Sequence, residues 1–329
     1  MRLIKSFKDV VNFGVCENKP LIVYSDYFLF GESTHTKRID DYVYTENDVL
    51  LIYKRPESIF EGYKNGRFES LIAKISTPRH LGNNIWIEHE NHEDGHVDVH
   101  FVECGEEYMF SLIASKGIHW PKYDKNNSIL LLGEPNDSYV LAYTKTGQRL
   151  WEYKEEDESL KINGRCIPVV DDVVVVISLY GARPKKIQGF NIRTGERLWI
   201  NQSEARHEPD TFFLGEDKML YGCRGYVVRP GIGITKLNPF TGELNVSLIN
   251  EDEEFDFMPW NVTMNGRQLY FVDNRRGNEI GVIDVDRKEL VERVPLNIKK
   301  KVTIGAPVVT DDMVYVFIRD LKELRVFVT

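Results

Sequence analysis

Histidines and acidic residues alternate in one short stretch, HLGNNIWIEHENHEDGHVDVH, which holds five of the eight histidines. Imidazole and carboxylate groups are common ligands of zinc and other transition metals. His96, Asp98 and His100 occupy every second position, so on a β-strand they would share one face. They are candidate metal ligands, and a site built from them would lose affinity below about pH 6 as the imidazoles protonate. The favoured alternative, because no further ligand closes the site, is a solvated face of histidine–acid pairs.

The same stretch is expected to form a β-hairpin with one buried face. Alternation places its apolar residues on that face, namely Ile85, Ile87, Val97, Val99 and Phe101. The opposite face then collects Glu88, Glu90, His96, Asp98 and His100. A metal-binding protein or an enzyme that uses this cluster is therefore one hypothesis for the function.

Two acidic segments, KEEDESLK at 154–161 and NEDEEFDFMPW at 250–260, are the candidate binding sites for a protein partner. The second segment places aromatic residues within a run of acids, which suits a cationic partner. Alternatively, the aromatic residues begin the next strand and pack inward, and the acids are simply solvated. The candidate partner-binding residues are Glu155, Glu156, Asp157, Glu251, Glu253, Glu254, Phe255, Asp256, Phe257 and Trp260.

Composition narrows the class of protein. The net charge of −9 disfavours nucleic acid or an anionic membrane as the main partner and suits a basic protein. The start MRLIKSFKDVVNFG lacks the apolar core of a signal peptide, and no apolar run is long enough to span a bilayer, so we expect a cytoplasmic location. The four cysteines are too widely spaced for a disulfide framework or a zinc site, and they are predicted to be small buried hydrophobes.

Sequence motifs of catalysis are missing from the chain. It contains no GxSxG, Walker, HExxH or dinucleotide-binding motif, and no paired carboxylates can be assigned to acid–base chemistry. The sequence therefore favours a non-catalytic protein.

The elements that must position these residues repeat along the chain. YTKTGQRLWEY at 143–153 and NIRTGERLWIN at 191–201 are near copies of one hairpin, with glycine at the turn. Weaker copies turn at Gly66, Gly105, Gly242 and, without a glycine, Lys288. Before each hairpin a polar turn leads into a β-branched or aromatic strand, and this unit occurs eight times.

Each period of about 45 residues therefore predicts four short strands, an inner strand A followed by B and a C–D hairpin, as in a propeller blade. We expect an all-β, eight-bladed β-propeller of four-stranded antiparallel blades, with residues 1–329 as a single domain; seven blades are the alternative. Residues 1–8 and 322–329 are expected to pair and close the ring. The D–A and B–C connections would then lie on one face, together with both acidic segments, and the glycine turns would lie on the other.

Two segments, LAYTKTGQRLW and QGFNIRTGERLW, resemble the quinoprotein-type repeat, a family that includes quinone-dependent alcohol dehydrogenases and an outer-membrane assembly lipoprotein. The resemblance implies an eight-bladed propeller in which Trp151 and Trp199 wedge between adjacent blades. It implies a quinone cofactor only for the dehydrogenases, which also often have adjacent cysteines. This chain has none, and its candidate channel residues form no recognisable cofactor site: Arg79, Trp120, Arg165 and Trp260. The sequence therefore predicts no cofactor and a likeness to the non-enzymatic members.

The leading hypothesis is a non-catalytic, cytoplasmic propeller that binds a basic protein through the face carrying the D–A and B–C connections. Within this class, the narrower hypothesis is an immunity protein that neutralises an antibacterial toxin domain. A scaffold subunit of a larger assembly is a further alternative.

Overall fold

The computed structural model describes residues 1–16, 18–38, 42–46, 49–54, 59–64, 67–71, 79–82, 85–103, 106–113, 118, 120–133, 139–164, 166–181, 183–202, 209, 211–226, 229–274, 278–298 and 302–329. Four residues named above lie outside this part of the chain: Gly66, Cys104, Gly105 and Arg165. The side chain of Trp260 also lies outside it.

Almost all regular structure in the described residues is β-strand, and these strands form eight antiparallel sheets. The helices of this part are two short 3-10 turns, Pro259–Asn261 and Arg319–Leu321. None of its helices has the length and apolar character needed to cross a membrane. The predicted all-β chain of four-stranded antiparallel sheets is confirmed, whereas the number of blades, the closed ring and the single domain stay predictions.

The chain divides into two compact units. The terminal unit comprises Arg2–Ile118, Lys145–Gly147 and Thr310–Thr329. The central unit comprises Met1, His119–Thr144 and Gln148–Val309.

Strands of the terminal unit come from both ends of the chain. They are β1 (Arg2–Phe7), β2 (Asn12–Cys16), β3 (Lys19–Val23), β4 (Tyr27–Phe30), β5 (Ser33–Thr36), β6 (Tyr42–Glu46), β7 (Val49–Lys54), β8 (Ile59–Lys64), β9 (Arg67–Leu71), β10 (Arg79–Gly82), β11 (Ile85–Asn91), β12 (His96–Glu103), β13 (Glu106–Ile113), β32 (Met313–Ile318) and β33 (Glu323–Val328). Each of the groups β2–β5, β6–β9 and β10–β13 forms one sheet in chain order, and β33 lies between β1 and β32 in another.

The strands of the central unit are consecutive in the chain. They are β14 (Trp120–Asp124), β15 (Ile129–Gly133), β16 (Tyr139–Thr144), β17 (Arg149–Lys154), β18 (Lys161–Ile162), β19 (Val169–Val170), β20 (Val173–Tyr180), β21 (Arg183–Asn191), β22 (Arg197–Asn201), β23 (Phe213–Leu214), β24 (Leu220–Tyr226), β25 (Arg229–Leu237), β26 (Leu244–Ile249), β27 (Val262–Asn265), β28 (Gln268–Asp273), β29 (Glu279–Asp284), β30 (Glu289–Pro295) and β31 (Val308–Val309). Its sheets are β14–β17, β18–β22, β23–β26 and β27–β30, and β18 and β19 both pair with β20.

Pairing between the two ends of the chain is present, as predicted. β1 runs antiparallel to β33 from Arg2 opposite Val328 to Phe7 opposite Leu324. Glu323 fixes this pairing, because its carboxylate accepts hydrogen bonds from Ser6 Oγ at 2.8 Å and from Lys8 Nζ at 2.6 Å.

The second strand of one sheet, β20, is buried on both faces over most of its length. In β20 the first five residues, VVVVI, are all buried. A strand with such a continuous apolar run needs a packed layer on each side. The described cysteines Cys16, Cys166 and Cys223 are buried as well, as predicted.

At two glycine turns, a tryptophan ring from the preceding sheet packs directly on the glycine of the next sheet. Gly195 and Gly242 adopt φ of +72° and +75°, and a Cβ at either position would lie within 2.6 Å of a tryptophan ring. Trp151 packs on Gly195 and donates its Nε1 proton to the Ile192 carbonyl at 2.6 Å. Trp199 packs on Gly242 in the same way and donates to the Pro239 carbonyl at 2.7 Å. The predicted wedge of both tryptophans between adjacent sheets is confirmed.

Lys288 takes the same turn position without a glycine. Its φ of +56° lies in the left-handed region, which costs a side-chain-bearing residue about 1 kcal/mol. The turn is therefore a property of the repeat, and glycine is the residue that fits it best.

Candidate functional site

Two segments of the central unit form the candidate site, and we name them the first acidic loop (residues 154–161) and the second acidic loop (residues 250–260). The first acidic loop leads into β18, which pairs with the far end of β20 at Ser178 and Leu179. In the second, the Glu253 carbonyl accepts a hydrogen bond from the Gly231 amide, near the start of β25. Each loop therefore lies at the edge of the sheets where strands B and C are connected, as predicted.

The first acidic loop is held by a buried carboxylate. Glu155 has a side chain that is 1% exposed, and it accepts hydrogen bonds from Lys186 Nζ at 2.5 Å and Ser178 Oγ at 2.5 Å. Tyr153 donates its hydroxyl proton to the same carboxylate at 2.9 Å and accepts one from Gln188 Nε2 at 2.7 Å. Glu155 is one of the predicted partner-binding residues, but its side chain points into a network that leaves it almost no exposed surface.

Charge in this network is balanced. Burial disfavours the Glu155 carboxylate, but the hydrogen bonds from Lys186, Ser178 and Tyr153 outweigh burial and lower its pKa below the ordinary value. Burial and the neighbouring Glu155 charge raise the pKa of Tyr153 to about 12, despite the opposing hydrogen bond from Gln188. The network is therefore an ionised carboxylate paired with a lysine and a neutral tyrosine, and it anchors the loop.

The residues that follow Glu155 face solvent. Glu156, Asp157 and Glu158 are all exposed. Asp157 accepts hydrogen bonds from the amide and the hydroxyl of Ser159 at 2.9 and 2.6 Å, which lower the pKa of its carboxyl. The loop therefore presents three carboxylates in a locally ordered turn.

Tyr180 was missed by the sequence reasoning. It ends β20 at the connection to β21, beside the strand pairs that receive the first acidic loop, and it is 58% exposed. The available signal was a tyrosine directly before Gly181, whose φ is +60°. An exposed aromatic ring on the strand that pairs with the end of the first acidic loop matches the predicted combination better than the aromatic residues of the second acidic loop do.

The second acidic loop is held by aromatic packing. Phe255 and Phe257 are 0% and 1% exposed, and both contact Phe271, with ring centroids 6.3 and 4.1 Å away respectively. A backbone bridge between Phe257 and Gly225 fixes the segment against β24. Phe255 and Phe257 belong to the core, which is the inward packing given above as the alternative to partner contact.

Arg293 adds an ionic contact to this loop. Its guanidinium lies 2.6 Å from a Glu253 oxygen, pairs also with Glu279, and is 5.6 Å from the centroid of the Phe255 ring. Burial acts against the charge, but both carboxylates favour it, and they raise the pKa of Arg293. Glu253 therefore participates in holding its own loop.

The remaining acids of the second loop differ in exposure. Glu251 and Asp252 are exposed, whereas Glu254 and Asp256 are half-buried. The Asp256 amide donates to Asp273 Oδ1 at 2.8 Å. Met258, 36% exposed, is the apolar residue that follows the buried aromatic pair. The partner-binding role of these acids stays a prediction.

Histidine–acid pairs occupy the hairpin β11–β12 of the terminal unit, and its predicted apolar residues are all buried. His96 pairs with Asp94 at 3.0 Å, and Asp98 pairs with His92 at 3.0 Å and with Ser111. The candidate ligands His96 and Asp98 thus have separate partners. Within the described ranges, no three histidine, cysteine or acidic side chains converge on a metal-sized site.

His100 lies apart from these exposed pairs. It is 1% exposed, and its Nδ1 is 2.6 Å from Oε1 of the equally buried Glu88, while its Nε2 is 3.5 Å from Glu107. Alternation placed Glu88 and His100 on one face, which is confirmed, but that part of the face is buried instead of solvated. The arrangement is a cross-strand histidine–carboxylate hydrogen bond within a sheet.

Trp120, one of the residues considered for a cofactor site, is a packing residue. A Cβ at Gly133 or at Gly164 would lie within 2 Å of its ring. The ring therefore fills the space between two successive sheets of the central unit.

Comparison with known proteins identifies the family. The family model described as outer membrane protein assembly factor BamB matches residues 126–323, more than half of the chain. The fold is similar to BamB from Moraxella catarrhalis, with a TM-score of 0.60, 14% identity and 99% of each chain covered. It is also similar to Sqt1 from Saccharomyces cerevisiae, with a TM-score of 0.60, 12% identity and coverage of 100% of this chain and 99% of that one.

A third similar structure is the β-propeller domain of Cps50 (Swd1) from Myceliophteria thermophila, with a TM-score of 0.54, 10% identity and coverage of 100% of this chain and 99% of that one. No curated protein matches the sequence. At these identities the structural likeness establishes the fold, a β-propeller. Together with the match of the family model, it shows that the chain belongs to the PQQ-like β-propeller family of outer membrane protein assembly factor BamB.

Proposed function

We propose that this chain is a non-catalytic protein-binding propeller whose acidic loops hold a basic partner. The observation that carries the proposal is the first acidic loop, where the buried Glu155 fixes the backbone and three carboxylates remain exposed. The exposed Tyr180 ends β20, the strand that pairs with the end of this loop. An ordered loop loses less conformational entropy on binding than a mobile one. Its carboxylates can pair with lysine or arginine, and the tyrosine ring can stack on a guanidinium.

Glu251, Asp252 and Met258 of the second acidic loop extend this proposed surface. The two exposed carboxylates repeat the charge of the first loop, and Met258 adds an adaptable apolar contact. Exposed charges of this kind raise the association rate more than the affinity, and their effect falls with salt. We therefore expect partner binding to be fastest at low ionic strength.

The narrower proposal is an immunity protein of the cytoplasm that neutralises a toxin domain. The net charge of −9 and the exposed acids suit a basic toxin domain. A scaffold that joins several subunits would use the same surface with more partners, and the family name, an assembly factor, favours partner binding in general.

Affinity capture from the native cells at low salt, followed by mass spectrometry, tests the proposal. The matched variants are Glu156→Gln/Asp157→Asn/Glu158→Gln, which neutralises the first acidic loop, and Glu196→Gln/Glu216→Gln/Glu289→Gln, which removes three exposed acids at the opposite edge. We expect a basic protein that is captured by the wild type and the second variant and lost from the first. Capture that is equal for all three chains would contradict the proposal.

Co-expression tests the immunity role. The chain is expressed together with the basic partner recovered by affinity capture, and growth is measured. Rescue by the wild type but not by the variant of the first acidic loop is expected. Growth arrest despite a stable complex would favour the scaffold alternative.

A further inference from the structure

Edge strands are a hazard in β-proteins, because their outer N–H and C=O groups can pair with another chain. Natural edges are protected by charged side chains and by β-bulges that twist the strand. Three outer strands of the central unit, β17, β22 and β30, have both protections. Each pairs with its neighbour across a register shift, and each includes arginine.

The outer strand β26 has neither protection. Its sequence, LNVSLI, includes no charged residue. It pairs with β25 over six consecutive positions, from Leu237 opposite Leu244 to Ile232 opposite Ile249, without a register shift. In the part of the chain that the structure describes, β25 is the strand that pairs with β26, and the opposite edge of β26 ends the sheet.

Side chains on β26 are also suited to binding. Val246 and Leu248 are 38% and 37% exposed and, being two residues apart, they share one face. A flat edge with two exposed aliphatic residues offers backbone hydrogen bonds for affinity and side-chain contacts for specificity.

Acidic residues beside both ends of β26 indicate which kind of strand can pair with its outer edge. The strand leads directly into Asn250, followed by the exposed Glu251 and Asp252, and it is preceded by the exposed Glu243. A second copy of the chain paired antiparallel to β26 would bring its Glu243 towards these two acids, and like charges in paired strands repel. The complementary occupant is a strand from a different, basic protein.

We propose that β26 binds an extended segment of the basic partner by β-strand addition. The segment has apolar residues at alternate positions, against Val246 and Leu248, and lysine or arginine beside Glu251 and Asp252. This inference rests on the proposed function, since it assigns to the same partner a second contact, made by its backbone.

Fluorescence anisotropy with labelled peptides tests the inference on the full chain. The probe is Arg-Arg-Thr-Val-Thr-Val-Thr-Val, whose charges reach Glu251 and Asp252 when it pairs antiparallel, and the comparison peptide replaces both arginines with glutamate. We expect saturable binding of the arginine peptide, about tenfold tighter than that of the glutamate peptide. We also expect it to slow hydrogen–deuterium exchange in residues 244–249 of the wild type.

Two variants test whether the peptide binds at β26. Val246→Lys/Leu248→Lys gives β26 the charge found on the other outer strands and is expected to weaken peptide binding about tenfold or more. Val291→Lys on β30 is the matched control, because Val291 is 42% exposed on a strand that is already charged, and binding is expected to stay unchanged. Equal weakening by both variants, or exchange at 244–249 that the peptide does not alter, would overturn the inference.

Failure of this inference is distinguishable from failure of the proposed function. If a basic partner is captured through Glu156, Asp157 and Glu158 but Val246→Lys/Leu248→Lys captures it as well as the wild type, the β26 contact is refuted and the function stands. If no basic partner is captured while the arginine peptide still requires β26, the proposed function is refuted.

Discussion

The two acidic loops of the central unit look alike in sequence but are anchored by different forces. The first is held by an ion pair, in which the buried carboxylate of Glu155 receives hydrogen bonds from Lys186 and Ser178. The second is held by burial of Phe255 and Phe257 against Phe271, and Arg293 adds an ionic contact at Glu253. In both, the main anchoring side chains are buried, and exposed residues lie close to them in sequence, Glu156 in the first loop and Met258 in the second.

An acidic run therefore contains two kinds of residue, buried residues that hold the loop and exposed residues that are available to a partner. Glu155 and Glu156 are adjacent and chemically identical, yet one is buried and the other is exposed. Substitutions at the anchors should therefore change stability, and substitutions beside them should change binding. Variants at the two kinds of position separate the effect on stability from the effect on binding.

Replacing Phe257 should have the largest effect on stability. Phe257→Ala removes a fully buried ring and is expected to lower the free energy of unfolding by about 4 kcal/mol. Denaturant unfolding measures this, with Met258→Ala, a partly exposed neighbour, as the control expected to cost less than about 1 kcal/mol. Equal effects of both substitutions would contradict the core position of Phe257.

Breaking the ion pair of the first loop should come next. Glu155→Gln leaves the Lys186 ammonium, whose side chain is 16% exposed, without its charge partner, and the loss is expected to cost up to about 3 kcal/mol. Glu155→Met/Lys186→Met removes both charges and is expected to recover part of this stability, because no unpaired charge remains. A double variant whose loss of stability equals the summed losses of Glu155→Met and Lys186→Met would show that the pair does not act as a unit.

Acid should loosen the first loop before the second. The pKa of Glu155 in the folded chain lies below its ordinary value of 4.5, so its carboxylate stabilises the fold above pH 4.5 and loses this effect as the pH falls through the lowered pKa. Phe255 and Phe257 do not titrate. Protection factors from hydrogen–deuterium exchange should therefore fall at 154–161 on acidification while those at 255–257 persist; loss of protection in the reverse order would contradict the assignment of the anchors.

The smallest stability change is expected for Glu156→Gln/Asp157→Asn/Glu158→Gln. These side chains are exposed, so the free energy of unfolding should stay within about 0.5 kcal/mol of the wild type per substitution. Partner capture should nevertheless be lost. A large drop in the unfolding midpoint would mean that these acids hold the loop instead of presenting it.

Much of the fold was predictable from local sequence. The glycine turns and the alternating strands follow from short-range patterns, and the positive φ of Gly195 and Gly242 confirms the turns. The pairing of the chain ends follows from the incomplete repeat unit at each end of the chain. The wedge of Trp151 and Trp199 was predicted because the repeat places each ring beside the next turn.

The candidate site was less predictable, because it depends on contacts between distant residues. Glu155 is buried by Lys186, which lies 31 residues further along the chain, and Phe257 is buried by Phe271 on the next sheet. A single sequence does not show which acid of a run meets a lysine from a distant strand. Tyr180 was overlooked because its exposure follows from the position of the turn after β20, not from its neighbours in sequence.

The claim that the partner binds at the edge of the sheets carrying both acidic loops is tested by hydrogen–deuterium exchange on the complex with the captured partner. We expect slowed exchange in the first acidic loop, at 178–181 and at 250–258, with unchanged exchange at the glycine turns 193–196 and 240–243. Slowed exchange confined to those turns would place the partner at the opposite edge of the sheets and contradict the account.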